Sequence, residues 1–136
     1  MKTLLKLEEA AQFLACLFLL FKLDSEWWWY LLLVLGPDIG MLGYLVNARI
    51  GAVTYNLLHH KGIALLPFAF ALCVSLPDTH MGDRYFGAGV LTSIILFGHA
   101  SMDRMFGYGL KFGDHFQHTH LGWIGRPKEQ GQAQGQ

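Results

Sequence analysis

The stretch Trp27-Trp28-Trp29-Tyr30-Leu31-Leu32-Leu33-Val34-Leu35-Gly36-Pro37-Asp38-Ile39-Gly40-Met41-Leu42-Gly43-Tyr44-Leu45-Val46 decides the fold class. It is as long as the roughly 20 apolar residues a helix needs to cross a bilayer. It opens with three tryptophans and a tyrosine, the aromatic belt of a membrane interface. One acid, Asp38, interrupts it. A carboxylate at membrane depth must be protonated, paired or bound to a cation. Pro37, flanked by Gly36 and Gly40, predicts that the helix kinks or unwinds beside that acid. Arg49 lies eleven residues further on, too far along a helix to be its partner.

The rest of the chain agrees with a membrane assignment. Of 136 residues, 53% are hydrophobic and only 15% charged, against about a quarter charged in soluble domains. Ten basic residues balance ten acidic ones, which leaves no electrostatic case for nucleic acid. The length suits one domain, expected over 1–126, followed by a disordered Gln/Gly-rich tail over 127–136. Cys16 and Cys73 each sit in an apolar run without CxxC spacing, so buried thiols are expected. Glu8 and Glu9 stand where a signal peptide would be basic, and a retained first helix is expected.

Three further apolar segments can be drawn. The first runs from about Ala10 to Leu23 and can extend back through Leu4. Another, Ile63 to Leu76, is long enough only if Ile50–His60 continues into it past Lys61 and Gly62. The last runs from about Tyr85 to Ser101 and on as an interfacial helix to Leu110. The expected architecture is therefore all-α, an integral membrane bundle of about four spans, with the third helix broken or reentrant near Lys61–Gly62. Basic residues orient it. With both termini inside, Lys2, Lys6, Arg49, Lys61, Arg104, Lys111, Arg126 and Lys128 fall in the cytoplasmic segments. Lys22 and Arg84 fall in outer turns, with Asp24, Glu26, Asp78 and Asp83. At 1.5 Å per residue Asp38 lies roughly 16 Å down a helix entering from outside. His59, His99 and His120 fall at similar depth, so the polar clusters should meet near the cytoplasmic leaflet.

Those clusters carry the chemistry. His99 and Asp103 are i, i+4 on one helical face, a spacing that suits two ligands of one ion or a metal-free hydrogen-bonded pair. Asn56 is three residues before His59 and four before His60, and Tyr55 is i, i+4 with His59. Such a face can bind a metal or orient a substrate, or simply bond between helices. Arg104 can grip a phosphate or anchor the interface. His115, His118 and His120 follow the glycine-rich Gly107–Gly113 stretch, and one of them as a ligand is likelier than all three. His80 reads as a solvated turn residue.

The segments Pro37-Asp38, Tyr55-Asn56-Leu57-Leu58-His59, His99-Ala100-Ser101-Met102-Asp103-Arg104 with Gly107-Tyr108-Gly109-Leu110-Lys111, and Thr119-His120-Leu121-Gly122 together resemble a family of small bacterial membrane proteins that carries only a domain-of-unknown-function label. The resemblance covers nearly the whole chain before the tail. It places Asp38, Asn56, His59, His99, Asp103, Arg104, Lys111, Thr119 and His120 at motif positions and leaves His60, His115 and His118 outside them. It implies a site and supplies no activity. A looser likeness is to membrane-bound metal-dependent hydrolases, which combine P-D-x-D with intramembrane histidines; here Gly40 stands in place of the second acid.

The resulting expectation is an enzyme of the bacterial cytoplasmic membrane, hydrolase-like and dependent on a divalent metal (zinc, manganese or iron). Its substrate would be lipidic or amphipathic and enter from the cytoplasmic leaflet. Asp38, His59, His99, Asp103 and His120 would hold the ion, and a metal there could activate water. Asn56 would orient the substrate or a ligand, Arg104 and Lys111 would receive an anionic headgroup, and Asp38 would share in catalysis. Two alternatives stay open. One is a metal-free acid-base enzyme on an isoprenoid, cyclase-like. The other is a metal- or proton-handling transport or accessory protein, which would need to assemble as a homo-oligomer.

Overall fold

The computed structural model describes the backbone of residues 1–75 and 80–125 and the side chains of residues 1–74 and 85–125. The tail over 127–136 and the side chains of Asp78, His80, Asp83 and Arg84 lie outside the described residues. The chain is mainly helical: α1 (Lys2–Lys22), α2 (Trp27–Leu35), a 3-10 stretch (Gly36–Leu45), α3 (Ala48–His59), α4 (Lys61–Ala64), α5 (Leu66–Ser75) and α6 (His80–Phe106). A short antiparallel hairpin, β1 (His118–Thr119) and β2 (Gly122–Trp123), follows α6.

Among the described residues, two helical segments are long and apolar enough to cross a membrane, Trp27–Leu45 with 19 residues and Tyr85–Phe106 with 22. Ala48–His59 and Lys61–Val74 qualify together as one span bent by 49°. The helix α1 has 21 residues, but Lys6, Glu8 and Glu9 lie in its first half, and it does not meet the same standard. The break in the bent pair falls at His60, just ahead of the expected Lys61–Gly62. His60 is extended (φ −86°, ψ 112°) and its Nδ1 accepts the Ile63 amide at 3.3 Å, capping α4. That leaves His59 as the last residue of α3.

The interruption at Pro37 is more extensive than a kink. Proline has no N–H and cannot sustain α-helical bonding; from Gly36 the chain continues as a 3-10 helix for ten residues. This stretch packs closely on α3 because glycines face the contact. A Cβ at Gly40 would lie 2.8 Å from the Thr54 carbonyl oxygen, and one at Gly51 would lie 2.2 Å from the Tyr44 ring. Thr54 Oγ1 donates to the Gly40 carbonyl at 2.6 Å across the same contact. Asn47 starts α3 by accepting the Ile50 amide at 2.9 Å, the usual N-cap arrangement.

Helix α6 is the centre of the bundle, with α1, α2 and α5 packed around it. Cys16, Leu20, Leu33, Ile94 and Ile95 form the apolar core on its upper part. Cys16 is buried as expected, whereas Cys73 is exposed, and both are free thiols. Below this core, α6 turns His99 and Ser101 inward, both fully buried.

Candidate metal centre

Four titratable side chains from three segments converge beneath the core. Asp38 comes from the 3-10 stretch, His59 from the end of α3, and His99 and Asp103 from successive turns of α6. One potential ligand atom from each lies within 4.8 Å of the others. His99 Nε2 is 3.4 Å from Asp38 Oδ1 and 3.9 Å from Asp103 Oδ1. His59 Nε2 is 3.7 Å from Asp38 Oδ1 and 3.4 Å from Asp103 Oδ2. The two imidazoles meet edge to face, with centroids 4.8 Å apart.

The backbone sets the tautomer of each histidine. His99 Nδ1 lies 2.9 Å from the Leu33 carbonyl oxygen. His59 Nδ1 lies 2.8 Å from the Tyr55 carbonyl oxygen. A carbonyl only accepts, so each Nδ1 carries a proton, and in the neutral ring each Nε2 turns a lone pair into the cluster. Both Nε2 atoms are buried, and neither has a hydrogen-bond partner among the described residues. Native interiors rarely leave such acceptors unmet, because each costs about 1–3 kcal/mol. The carboxylate oxygens stand too far off for good hydrogen bonds. Ligands about 2.0–2.2 Å from a tetrahedral ion are themselves about 3.3–3.6 Å apart, close to the spacings seen here. Two carboxylates and a divalent cation also sum to zero charge, the least costly state for a cluster held away from water. The donor set therefore fits a divalent transition metal.

The surroundings hold these ligands in place. Tyr55 Oη donates to Asp103 Oδ2 at 2.5 Å, and its ring stacks on His59 with centroids 3.7 Å apart. Carbonyl and hydroxyl partners of this kind fix ligand orientation in metal sites. The Asp103 side chain is 14% exposed and that of Asp38 38%, so the cluster opens on the Asp38 side.

A family model described as "Domain of unknown function (DUF4260)" matches residues 2–124. The chain belongs to the DUF4260 family. Comparison with curated proteins and with solved structures finds no match. The likeness to P-D-x-D hydrolases gains no support from these comparisons. The close approach of α3 to Gly40 leaves no room there for a second acid; the second carboxylate of the cluster is Asp103, from α6.

In this DUF4260 protein the other expected site residues lie elsewhere. His120 is outside the cluster: its Nδ1 accepts the Leu110 amide at 2.8 Å. Asn56 clasps the chain after α6, its Nδ2 donating to the Lys111 carbonyl at 2.8 Å and its Oδ1 accepting the Lys111 amide at 2.7 Å. The Lys111 ammonium is buried, with the Phe116 ring at 3.6 Å and the Tyr55 ring at 4.7 Å, and donates to the Phe116 carbonyl at 3.0 Å. Burial holds its pKa below the ordinary lysine value, against the opposing pull of Asp103 and Asp38. Arg104 faces α1, where Glu9 lies 3.8 Å away. Thr119 is buried and closes the hairpin turn by donating to the Gly122 carbonyl at 2.8 Å. His118 pairs with Asp114 at 2.7 Å, and that hydrogen bond lowers the Asp114 pKa.

Two contributors stand outside the residues expected to hold the ion or the substrate, Tyr55 and the Leu33 carbonyl. Tyr55 had a signal, its i, i+4 spacing to His59. The Leu33 carbonyl had a subtler one, a proline four residues later.

Proposed function

We propose that Asp38, His59, His99 and Asp103 hold one divalent metal (zinc, manganese or iron), and that the protein is a membrane-embedded, hydrolase-like enzyme acting on a lipidic or amphipathic substrate. The observation that supports this most is the pair of buried, unpartnered Nε2 atoms facing two carboxylates. Bound there, a metal would supply Lewis acidity and a water made acidic enough to attack at neutral pH. The chain's own residues do the rest. His59 and His99 are held as neutral donors by the Tyr55 and Leu33 carbonyls. Tyr55 orients Asp103 through the hydrogen bond from its hydroxyl. Asp38, on the open side, is placed to take a proton from an incoming nucleophile.

The membrane arrangement that suits this reading has α1 as a fourth span and both termini in the cytoplasm. The basic residues then gather on the inner side, and the metal centre faces the cytoplasmic leaflet. Impermeant thiol labelling of single-cysteine variants tests it. A probe at Ser25 should react from outside and one at Ala133 should not; the reverse pattern would invert the orientation.

Activity is tested with detergent-purified protein on ester- and phosphate-bearing lipid analogues. Turnover should stop on chelation, return with added metal and be absent from His99→Ala. Turnover that survives both treatments would sink the assignment.

A further inference from the structure

Arg104 follows Asp103 in sequence but serves a different face of α6. Asp103 turns to Tyr55 on α3, whereas Arg104 turns to Glu9 on α1. A cleft of about 380 Å³ lies there, lined by the first turns of α1, the end of α6 and the hairpin. It is separate from the metal cluster and shares no residue with it.

Its lining is rich in unspent donors. Lys2 and Lys6 are one turn apart on α1, both exposed, and both face the cleft. Among the described residues, Arg104 has only the 3.8 Å approach to Glu9, too long for a hydrogen bond; its guanidinium donors remain available. His120 lines the same wall. Its Nδ1 accepts the Leu110 amide, so Nε2 carries the proton and is a donor toward a ligand. The single carboxylate in the lining among the described residues, Glu9, is held through its other oxygen by Lys61. Three cations and an oriented imidazole N–H thus surround one occupied acid. A planar guanidinium beside two ammoniums matches a phosphate group. Two leucines, Leu5 and Leu121, complete the walls, and both are about half exposed. The cleft therefore pairs a cationic floor with apolar edges, at the end of the bundle where α6 leaves its apolar span.

We infer that this cleft binds the phosphate headgroup of an anionic lipid, with Leu5 and Leu121 against the start of its acyl chains. The inference goes beyond the metal reading and does not depend on it. Clustered basic residues at the end of a membrane span are the general means by which proteins hold acidic lipids; here they are set in a shaped cleft with a directional Arg and His.

The test is titration calorimetry on the full chain in neutral detergent, with chelator present so that no metal contributes. The probes are dihexanoyl phosphatidic acid, dihexanoyl phosphatidylcholine and inorganic phosphate. Phosphatidic acid should bind at least about tenfold more tightly than either of the others. Arg104→Gln should weaken it at least about tenfold, and Arg104→Lys less, since the fork but not the charge is lost. Because Arg104 also approaches Glu9, the Lys2→Gln/Lys6→Gln double variant provides a second arm at exposed positions and should lose affinity with an unchanged melting temperature. Equal binding of phosphatidylcholine, a zwitterion that also carries a phosphate, would overturn the assignment of an anionic headgroup. Inorganic phosphate binding as tightly as the lipid would overturn the lipid. Wild-type affinity in both the Arg104→Gln and the double variant would remove the site.

Discussion

The Leu33 carbonyl accepts the Nδ1–H of His99 at 2.9 Å, and it is free to do so because the residue four positions later is Pro37. In an uninterrupted α-helix that carbonyl would take the N–H of residue 37. Proline has none to give. The helix break thus does two things at once: it carries Asp38 toward the cluster, and it provides the acceptor that sets the His99 tautomer.

Pro37→Ala should therefore damage the site without damaging the fold. Alanine would restore a backbone donor for Leu33 and better helix propensity. Competition for the carbonyl should loosen His99 and weaken metal binding about 10–100-fold, the range typical of lost outer partners. Thermal stability in detergent should stay level or rise. A variant that keeps wild-type metal affinity would show that the Leu33 bond does not orient His99.

Tyr55→Phe removes one hydroxyl and keeps the ring that stacks on His59. The lost hydrogen bond to Asp103 is of the charged kind, worth about 1.5–3 kcal/mol. Metal affinity should fall by about 10–100-fold, while metal titration still ends at the wild-type stoichiometry. An unchanged affinity would make the Tyr55–Asp103 contact a packing feature.

Asn56→Ala should act on the loop first. Both hydrogen bonds of its amide go to the Lys111 backbone, which carries the bridge to Thr119. Losing them should cost about 1–3 kcal/mol and speed amide exchange at Lys111 and His120, with the metal retained. Loss of metal without loss of amide protection would return Asn56 to the ion's immediate surroundings.

The sequence carried much of this arrangement because local spacing and depth are one-dimensional quantities. Asp38 in an apolar run, His99 four residues before Asp103, and His59 at a helix end could each be placed at similar depth by counting residues. What counting could not supply came from contacts across the chain. The length of the 3-10 stretch depends on how closely Gly40 and Gly51 let it approach α3. The Asn56–Lys111 clasp joins residues 55 apart, so Asn56 looked like a ligand-facing amide. Depth and its place in the Thr119-His120-Leu121-Gly122 motif both drew His120 toward the cluster, whereas the turn at Thr119–Gly122 directs its Nδ1 to Leu110. The break at His60 was legible to within two residues, since Lys61 and Gly62 signal a break without saying which residue adopts the extended conformation.

The central claim, that four side chains form one metal centre, is tested most directly by titrating zinc into chelator-stripped protein. Wild type should take up one ion per chain, tightly enough to compete with a chromophoric chelator. Asp38→Asn, His59→Ala, His99→Ala and Asp103→Asn should each weaken uptake at least about tenfold, and His115→Ala should match wild type. Absence of stoichiometric zinc in the wild type, with manganese and iron giving the same result, would contradict the account, as would full uptake by all four variants.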